Sequence, residues 1–342
     1  MKSTLAVLAA FVLLMTSSCA SLRAATTTTE SPPLVFNEIW GYLLRGHEEE
    51  LKGTEPFTDI FYFSADLTNE GRITETIARP SFTAANRTAP RVSLVVTELS
   101  NSSVLHFALS PAYGLRPLLI DDICRVSLPF DGVQIDFETV SPEDAQSFWD
   151  FLQELKQQLP PEKMLSVAVP SRTEPRPDAY SYEKIAPIVD RVMIMAYDEH
   201  WGGSPPGPVA SLPWCSQVLG HAQSVIPAEK LVMGLPLYGR MWMDKKIPRA
   251  LGFEGVQGLL AEKNVQSSYE SALGPNFQYS EKVVVTVFYD DVRSLREKLL
   301  LYESRNVKTV AFWRIGLSPS DLWNGISPVP TVAMPSADQA SP

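Results

Sequence analysis

The sequence predicts an α/β chain closed into a (β/α)8 barrel, and three observations predict it. Short apolar runs rich in β-type residues alternate with helical patterns, the signature of parallel α/β architecture. Eight such runs occur, the number that closes a barrel. Residues able to do chemistry fall at the C-terminal ends of several of these runs, where barrel enzymes place their active sites. The candidate strands are Glu38–Leu43, Asp59–Ser64, Arg91–Thr97, Gly132–Glu138, Leu165–Val169, Arg191–Tyr197, Leu231–Pro236 and Thr309–Trp313. The clearest helix starts at Ser141-Pro142-Glu143-Asp144 and runs to Leu159, with a Ser cap, Pro at the first helical position and acids in the first turn. Its Phe148, Phe151, Leu152 and Leu155 recur at helical spacing and should pack on the sheet. A second helix spans Tyr289–Arg305, with Leu295, Leu299 and Tyr302 facing inward. Between the last two strands lies an insertion, roughly residues 243–287, read as a helix at Phe253–Lys263 followed by a hairpin that includes Phe277–Tyr279 and Val283–Phe288.

The fourth strand is the most informative. In Phe130-Asp131-Gly132-Val133-Gln134-Ile135-Asp136-Phe137-Glu138, side chains alternate between two faces. Val133, Ile135 and Phe137 make an apolar face; Gln134, Asp136 and Glu138 make a polar one. Two readings share this pattern. An antiparallel strand with a solvated polar face would show it. So would a buried strand whose two carboxylates shift each other's proton affinity, an arrangement suited to a general acid beside a stabilising partner.

Composition narrows the function classes. The chain has 342 residues, 45% hydrophobic and 20% charged, enough for a large globular core. A net charge of −10 argues against nucleic acid or an anionic membrane surface as partner and leaves neutral sugar polymers open. The four histidines, His47, His106, His200 and His221, lack ligand spacing, so no metal site is expected. His200 is read either as a rim residue near Asp198 or as an ordinary loop histidine. At the N-terminus, Lys2 precedes an apolar run from Leu5 to Met15 and then Thr16-Ser17-Ser18-Cys19, too short a run to span a bilayer but suited to export. Small residues directly before a cysteine resemble a bacterial lipoprotein signal. Residues 1–18 are then the signal peptide and Cys19 a lipidated, membrane-anchoring N-terminus. The alternative is a plain signal peptide cleaved near Ala20 or Ala24. Residues 19–33 read as a flexible tether, 34–327 as the barrel, and 328–342 as a disordered tail. Cys124 and Cys215 are expected as two separate thiols.

Four segments carry a family resemblance. Asp131-Gly132-x-x-x-Asp136-x-Glu138 resembles the catalytic strand of glycoside hydrolase family 18, Asp-Gly-x-Asp-x-Asp-x-Glu, with Gln134 in place of the middle Asp. Met195-Ala196-Tyr197-Asp198 resembles the Met-x-Tyr-Asp of the family's sixth strand. Met233-Gly234-Leu235-Pro236-Leu237-Tyr238-Gly239 resembles its seventh, and Val310-Ala311-Phe312-Trp313 its eighth. The small insertion, and an amide at position 134, resemble the spore-cortex-lytic N-acetylglucosaminidase type within that family. The resemblance implies a retaining, substrate-assisted glycosidase acting on N-acetylglucosamine-containing glycans, an exception to the two-carboxylate rule. It implies Glu138 as acid and base, Asp136 on the acetamide N–H, and Tyr197 on the acetamide oxygen. Asp198, Trp313, Gln134, Tyr238 and Met195 are implied as sugar contacts. No cofactor is implied, and the protein is expected to act as a monomer in the cell envelope. Asp131 reads as a structural cap at the strand entry. Arg240 reads equally as a contact for an acidic glycan or as a surface arginine. A carbohydrate-binding relative without activity is the alternative function, and a scaffold using the barrel only for protein contacts a third.

Overall fold

The fourth predicted strand decides between its two readings, because all six residues of Gly132–Phe137 are buried and both its neighbours run parallel to it. The antiparallel, half-solvated reading is overturned. The computed structural model describes residues 32–82, 89–243, 246–281 and 284–330. The signal segment with Cys19, nearly all of the predicted tether and the tail from residue 331 lie outside them.

The chain opens with β1 (Leu34–Phe36), β2 (Glu38–Leu44), β3 (Asp59–Asp66) and β4 (Arg91–Glu98), then α1 (Ser102–Leu109), α2 (Arg116–Val126), β5 (Gly132–Phe137) and α3 (Ala145–Gln158). There follow β6 (Met164–Pro170), α4 (Tyr182–Ile185), β7 (Arg191–Met195), α5 (Leu212–Val225) and β8 (Leu231–Pro236). The insertion holds β9 (Tyr238–Met243), β10 (Lys246–Gly252), α6 (Phe253–Lys263), β11 (Ser268–Glu270), β12 (Gly274–Ser280) and β13 (Val284–Phe288). The chain closes with α7 (Val292–Ser304), β14 (Thr309–Trp313) and β15 (Ile326–Pro328).

Strands β2 to β8 and β14 pair in parallel and close in the order β14-β2-β3-β4-β5-β6-β7-β8, the predicted barrel. All eight predicted strands are the eight barrel staves. The inward residues of successive strands fill the interior, among them Trp40, Phe61, Val95, Met193, Val232 and Ala311, with Trp40 and Phe61 ring centroids 4.3 Å apart. The outward residues meet the helices. Phe137 of β5 packs on Phe148 and Phe151 of α3 at 6.3 and 5.7 Å. At the N-terminal mouth, Arg91 spans Asp59 (2.7 Å) and Glu38 (3.0 Å), and Arg191 reaches the same Glu38 oxygen at 3.0 Å. These ion pairs tie β2, β3, β4 and β7 together at the end away from the chemistry.

Several local expectations change. Ser141 does not cap α3: its hydroxyl donates to Glu143, and a 3-10 turn, Pro142–Asp144, leads into the helix. The predicted inward face, Phe148, Phe151, Leu152 and Leu155, is buried. Helix α7 starts at Val292, not Tyr289, because Asp291 forms a capping box with Ser294. Tyr289 belongs to the core of the insertion instead. That insertion is a five-stranded antiparallel sheet, β10-β9-β13-β12-β11, carrying α6, so three strands join the predicted helix and hairpin. Met241, Val256, Phe277, Val285 and Val287 form its apolar centre with Tyr289. The β1 and β15 strands pair in parallel, Leu34 opposite Ile326. No helix among the described residues is long and apolar enough to cross a membrane.

Candidate active site

The strand ends at the C-terminal mouth gather the predicted residues. Asp131 sits at the opposite end of β5, accepting from the Val92 N–H (2.7 Å) and from Arg79 (2.6 Å), a structural role as read from the sequence. The glycine after it is required by space: a Cβ on Gly132 would lie 2.7 Å from Ser93 Oγ and 2.8 Å from the Met164 carbonyl. This close approach to β4 and β6 sets the register that carries Asp136 into the barrel mouth.

Asp136 points inward and is 5% exposed, and its Oδ1 has no hydrogen-bond partner among the described residues. Burial, then the neighbouring Glu138 charge, push its pKa up to about 8. Its proton is therefore retained around neutrality. Glu138 lies one residue beyond the end of β5 and opens into the cleft, while the walls around it still withhold part of its hydration. That loss of solvent, and then the Asp198 charge, raise its pKa above the ordinary glutamate range. The backbone N–H of Glu138 is fixed to the Glu98 carbonyl at 3.0 Å.

Strand β7 ends at Met195, two residues earlier than predicted, so Tyr197 and Asp198 begin the following loop. Asp198 adopts the left-handed backbone conformation, φ 60°, uncommon for a residue with a side chain. Its Oδ1 accepts from the Tyr238 hydroxyl (2.6 Å) and from Arg240 Nε (3.0 Å) and Nη2 (2.5 Å). Arg240 gives Nε and Nη2 to Asp198 and lines the cleft, so it is not a plain surface arginine. Tyr197 stands edge-on to Tyr238, ring centroids 6.2 Å apart. Trp313, the last residue of β14, packs on Tyr42 (5.4 Å) and Phe63 (4.9 Å).

These groups line one cleft of about 500 Å3. Asp136, Glu138, Met195, Tyr197, Asp198, Tyr238 and Trp313 all reach it. Gln134, expected among the sugar contacts, does not. It is wholly buried below the floor, accepting from the Tyr42 hydroxyl at 2.6 Å and donating to Ser166 Oγ at 3.2 Å. With both ends of its amide occupied, its place is to hold Tyr42, and it is Tyr42 that faces the cleft. His200 bonds the Pro208 carbonyl at 2.9 Å and is not part of the lining. Cys124 and Cys215 are both free thiols. Among the described residues, no group of three or more His, Cys, Asp or Glu is placed to hold a metal ion.

Sequence reasoning passed over Tyr42, Phe63, Leu99, Arg314, Leu251 and Leu317, which also line the cleft. For Tyr42 a signal existed: it alternates with Trp40 on the inward face of the first barrel strand. Leu251 and Leu317 sit in the insertion and in the loop after β14, where no periodicity marks a wall.

An eight-stranded parallel barrel with carboxylates at the C-terminal mouth, and a small sheet inserted after the seventh stave, can be compared with known proteins. The sequence profile of Glycosyl hydrolases family 18 matches residues 115–317, spanning Asp136, Glu138, Asp198 and Trp313. The chain belongs to this family. It is therefore a glycosidase by descent, related to cortex-lytic enzymes and chitinases. The Cortical fragment-lytic enzyme of Bacillus anthracis is 28% identical over 297 residues, 80% of this chain and 68% of that protein. Among solved structures, the spore cortex-lytic enzyme SleL of Bacillus cereus superposes with a TM-score of 0.75 at 24% identity, over 87% of this chain and 76% of that one. A chitinase of Chromobacterium violaceum gives 0.71 at 22% identity, over 85% and 98%. The structural likenesses bear on the fold.

Proposed function

We propose that this family 18 glycosidase cleaves β-linked glycans containing N-acetylglucosamine, of the peptidoglycan or chitin type, by substrate-assisted retaining catalysis. One observation carries the reading: beside Glu138 in the cleft lies a buried Asp136 oxygen with no hydrogen-bond partner among the described residues. A buried polar atom left unpaired is costly, so a ligand that supplies a donor there gains affinity. A 2-acetamido N–H is such a donor. Glu138 in its protonated form, which loss of solvent favours, gives its proton to the glycosidic oxygen as the C1–O bond breaks. The acetamide carbonyl oxygen attacks C1, forming an oxazolinium ion while the leaving sugar departs as an alcohol. Asp136 accepts from the acetamide N–H, and Tyr197 donates its hydroxyl to the acetamide oxygen. The Glu138 carboxylate then takes a proton from water, whose oxygen opens the ring at C1 with net retention. Asp198 Oδ2, which has no partner among the described residues, is left for a sugar hydroxyl, and Trp313 floors the sugar ring. The test is mass analysis of products from peptidoglycan fragments and chito-oligosaccharides. Release of shorter chains ending in N-acetylglucosamine is expected; no release from either class rejects the reading.

We further propose that the protein is exported and held to a membrane by lipid on Cys19, on the strength of the apolar run and small residues before it. Several acyl chains on one cysteine anchor far better than one. The full-length protein should partition into the detergent phase, and a Cys19→Ser protein into the aqueous phase. A Cys19→Ser protein found wholly in detergent overturns the anchor.

A further inference from the structure

Strand β5 ends at Phe137, so Glu138 stands on a loop and its position depends on what holds that loop. One group outside the cleft does so on both sides of the acid. The Tyr180 hydroxyl donates to the Phe137 carbonyl at 2.7 Å and accepts from the Val140 N–H at 2.9 Å. It therefore closes a clamp across residues 137–140 with Glu138 inside. Tyr180 is buried, and burial raises its pKa so that the hydroxyl keeps the proton it donates. Its own placement is built with care. Asp178 Oδ1 accepts from the Tyr180 N–H at 2.9 Å, while Asp178 Oδ2 takes Arg172 Nη2 at 2.7 Å. Trp149 of α3 donates from its indole to the Ala179 carbonyl at 2.8 Å, and the Tyr180 ring stands edge-on to Phe148, 6.1 Å away. Tyr180 does not line the catalytic cleft.

We propose that Tyr180 is a positioning residue for the reaction, its hydroxyl fixing the backbone on either side of Glu138 so that the acid meets the glycosidic oxygen. The inference rests on the assignment of Glu138 as the acid. A Phe at this position keeps the ring packing and removes only the clamp. The Phe137 carbonyl and Val140 N–H then lose their shared partner and the loop relaxes toward solvent. A displacement of about 1 Å at a reacting group costs roughly 10²-fold in rate, so even partial relaxation is expected to lower kcat at least about tenfold. KM should stay within about twofold, because Asp136 is held within β5 itself and the other sugar-contacting groups lie outside the clamped loop. The direction of the pH effect follows from the cause of Glu138's raised pKa, which is loss of solvent. A looser, better hydrated Glu138 loses its proton at lower pH, and since the protonated acid is the active form, the alkaline limb of the kcat profile should move to lower pH.

The experiment compares wild type, Tyr180→Phe, Asp178→Ala and Glu138→Gln, with kcat taken per active site titrated by a thiazoline inhibitor. The expected result for Tyr180→Phe is a lower kcat per titrated site, a nearly unchanged KM and an alkaline limb displaced to lower pH. Asp178→Ala frees the Tyr180 backbone but keeps its hydroxyl, and should give the same shift at smaller size; it also serves if Tyr180→Phe does not fold. A purely structural tyrosine would lower Tm and the number of titratable sites while leaving kcat per site and the pH limb in place, and that result overturns the proposal. If Glu138→Gln itself keeps wild-type turnover, the assignment of the acid has failed instead.

Discussion

Glu138→Gln should lower turnover by more than about 10²-fold, the loss expected for a missing general acid, while oligosaccharide binding stays near wild type. Amide and acid have the same shape, so the cleft that receives the sugar is preserved, but an amide cannot transfer a proton to the leaving oxygen. No neighbouring carboxyl is placed to substitute. Asp136 is recessed and only 5% exposed, so its carboxyl is poorly presented to a leaving oxygen. Asp198 has one oxygen taken by Tyr238 and Arg240. The residual activity should also lack the alkaline limb that the wild-type profile owes to Glu138. Initial rates on a labelled chito-oligosaccharide, with calorimetric titration of the same ligand, check both halves. Wild-type turnover in the variant would remove Glu138 from its role. A wild-type protein that binds but cleaves none of the N-acetylated glycans would favour a carbohydrate-binding function.

Most of the barrel was legible because each stave buries both faces and so reads as a continuous β-type run. Strand ends were less legible where function begins. Glu138 and Tyr197 look like strand residues by alternation, yet β5 and β7 end before them, and Asp198 turns through the left-handed region. That turn is what aims these side chains across the mouth. Gln134 shows the opposite limit. Alternation correctly placed it on the inward face with Asp136, but depth along the barrel cannot be read from period two, and Gln134 lies a layer below the cleft, bonded to Tyr42 and Ser166. The insertion was under-read for a local reason. Pro248 argues against a strand, yet β10 is the edge of its sheet, where a proline is tolerated. The strand β9 before it places Tyr238 and Arg240, two residues apart on one face, against Asp198. Tyr180 had no signal in sequence at all: its partners are a backbone carbonyl and a backbone N–H more than 35 positions away, and such bonds leave no pattern.

Glycans that lack the 2-acetamido group should not be cleaved, even where the linkage is otherwise the same. A double displacement needs an ionised carboxylate able to attack C1. The cleft contains three acids, Asp136, Glu138 and Asp198. In the proposed mechanism Glu138 is the proton donor. Asp136 lines the cleft but is 5% exposed, and burial holds its pKa up at about 8, so it is a poor nucleophile near neutrality. Asp198 has its Oδ1 engaged by the Arg240 guanidinium and the Tyr238 hydroxyl, and so is not free to swing toward C1. With no enzyme carboxylate available, the substrate must bring its own nucleophile, and the acetamide oxygen is correctly tethered to C1 at high effective concentration. Asp136 Oδ1 has no hydrogen-bond partner among the described residues and in the proposed mechanism accepts the acetamide N–H, so removing that group forfeits both the nucleophile and its partner. A thiazoline mimic of the cyclised intermediate should inhibit strongly, because intermediate-like ligands bind more tightly than ground states. Cello-oligosaccharides and chito-oligosaccharides of equal length, assayed side by side with mass detection, test the requirement. Efficient cleavage of the cello series, or a covalent glycosyl–enzyme trapped on Asp136 or Asp198, would show that the enzyme supplies the nucleophile after all.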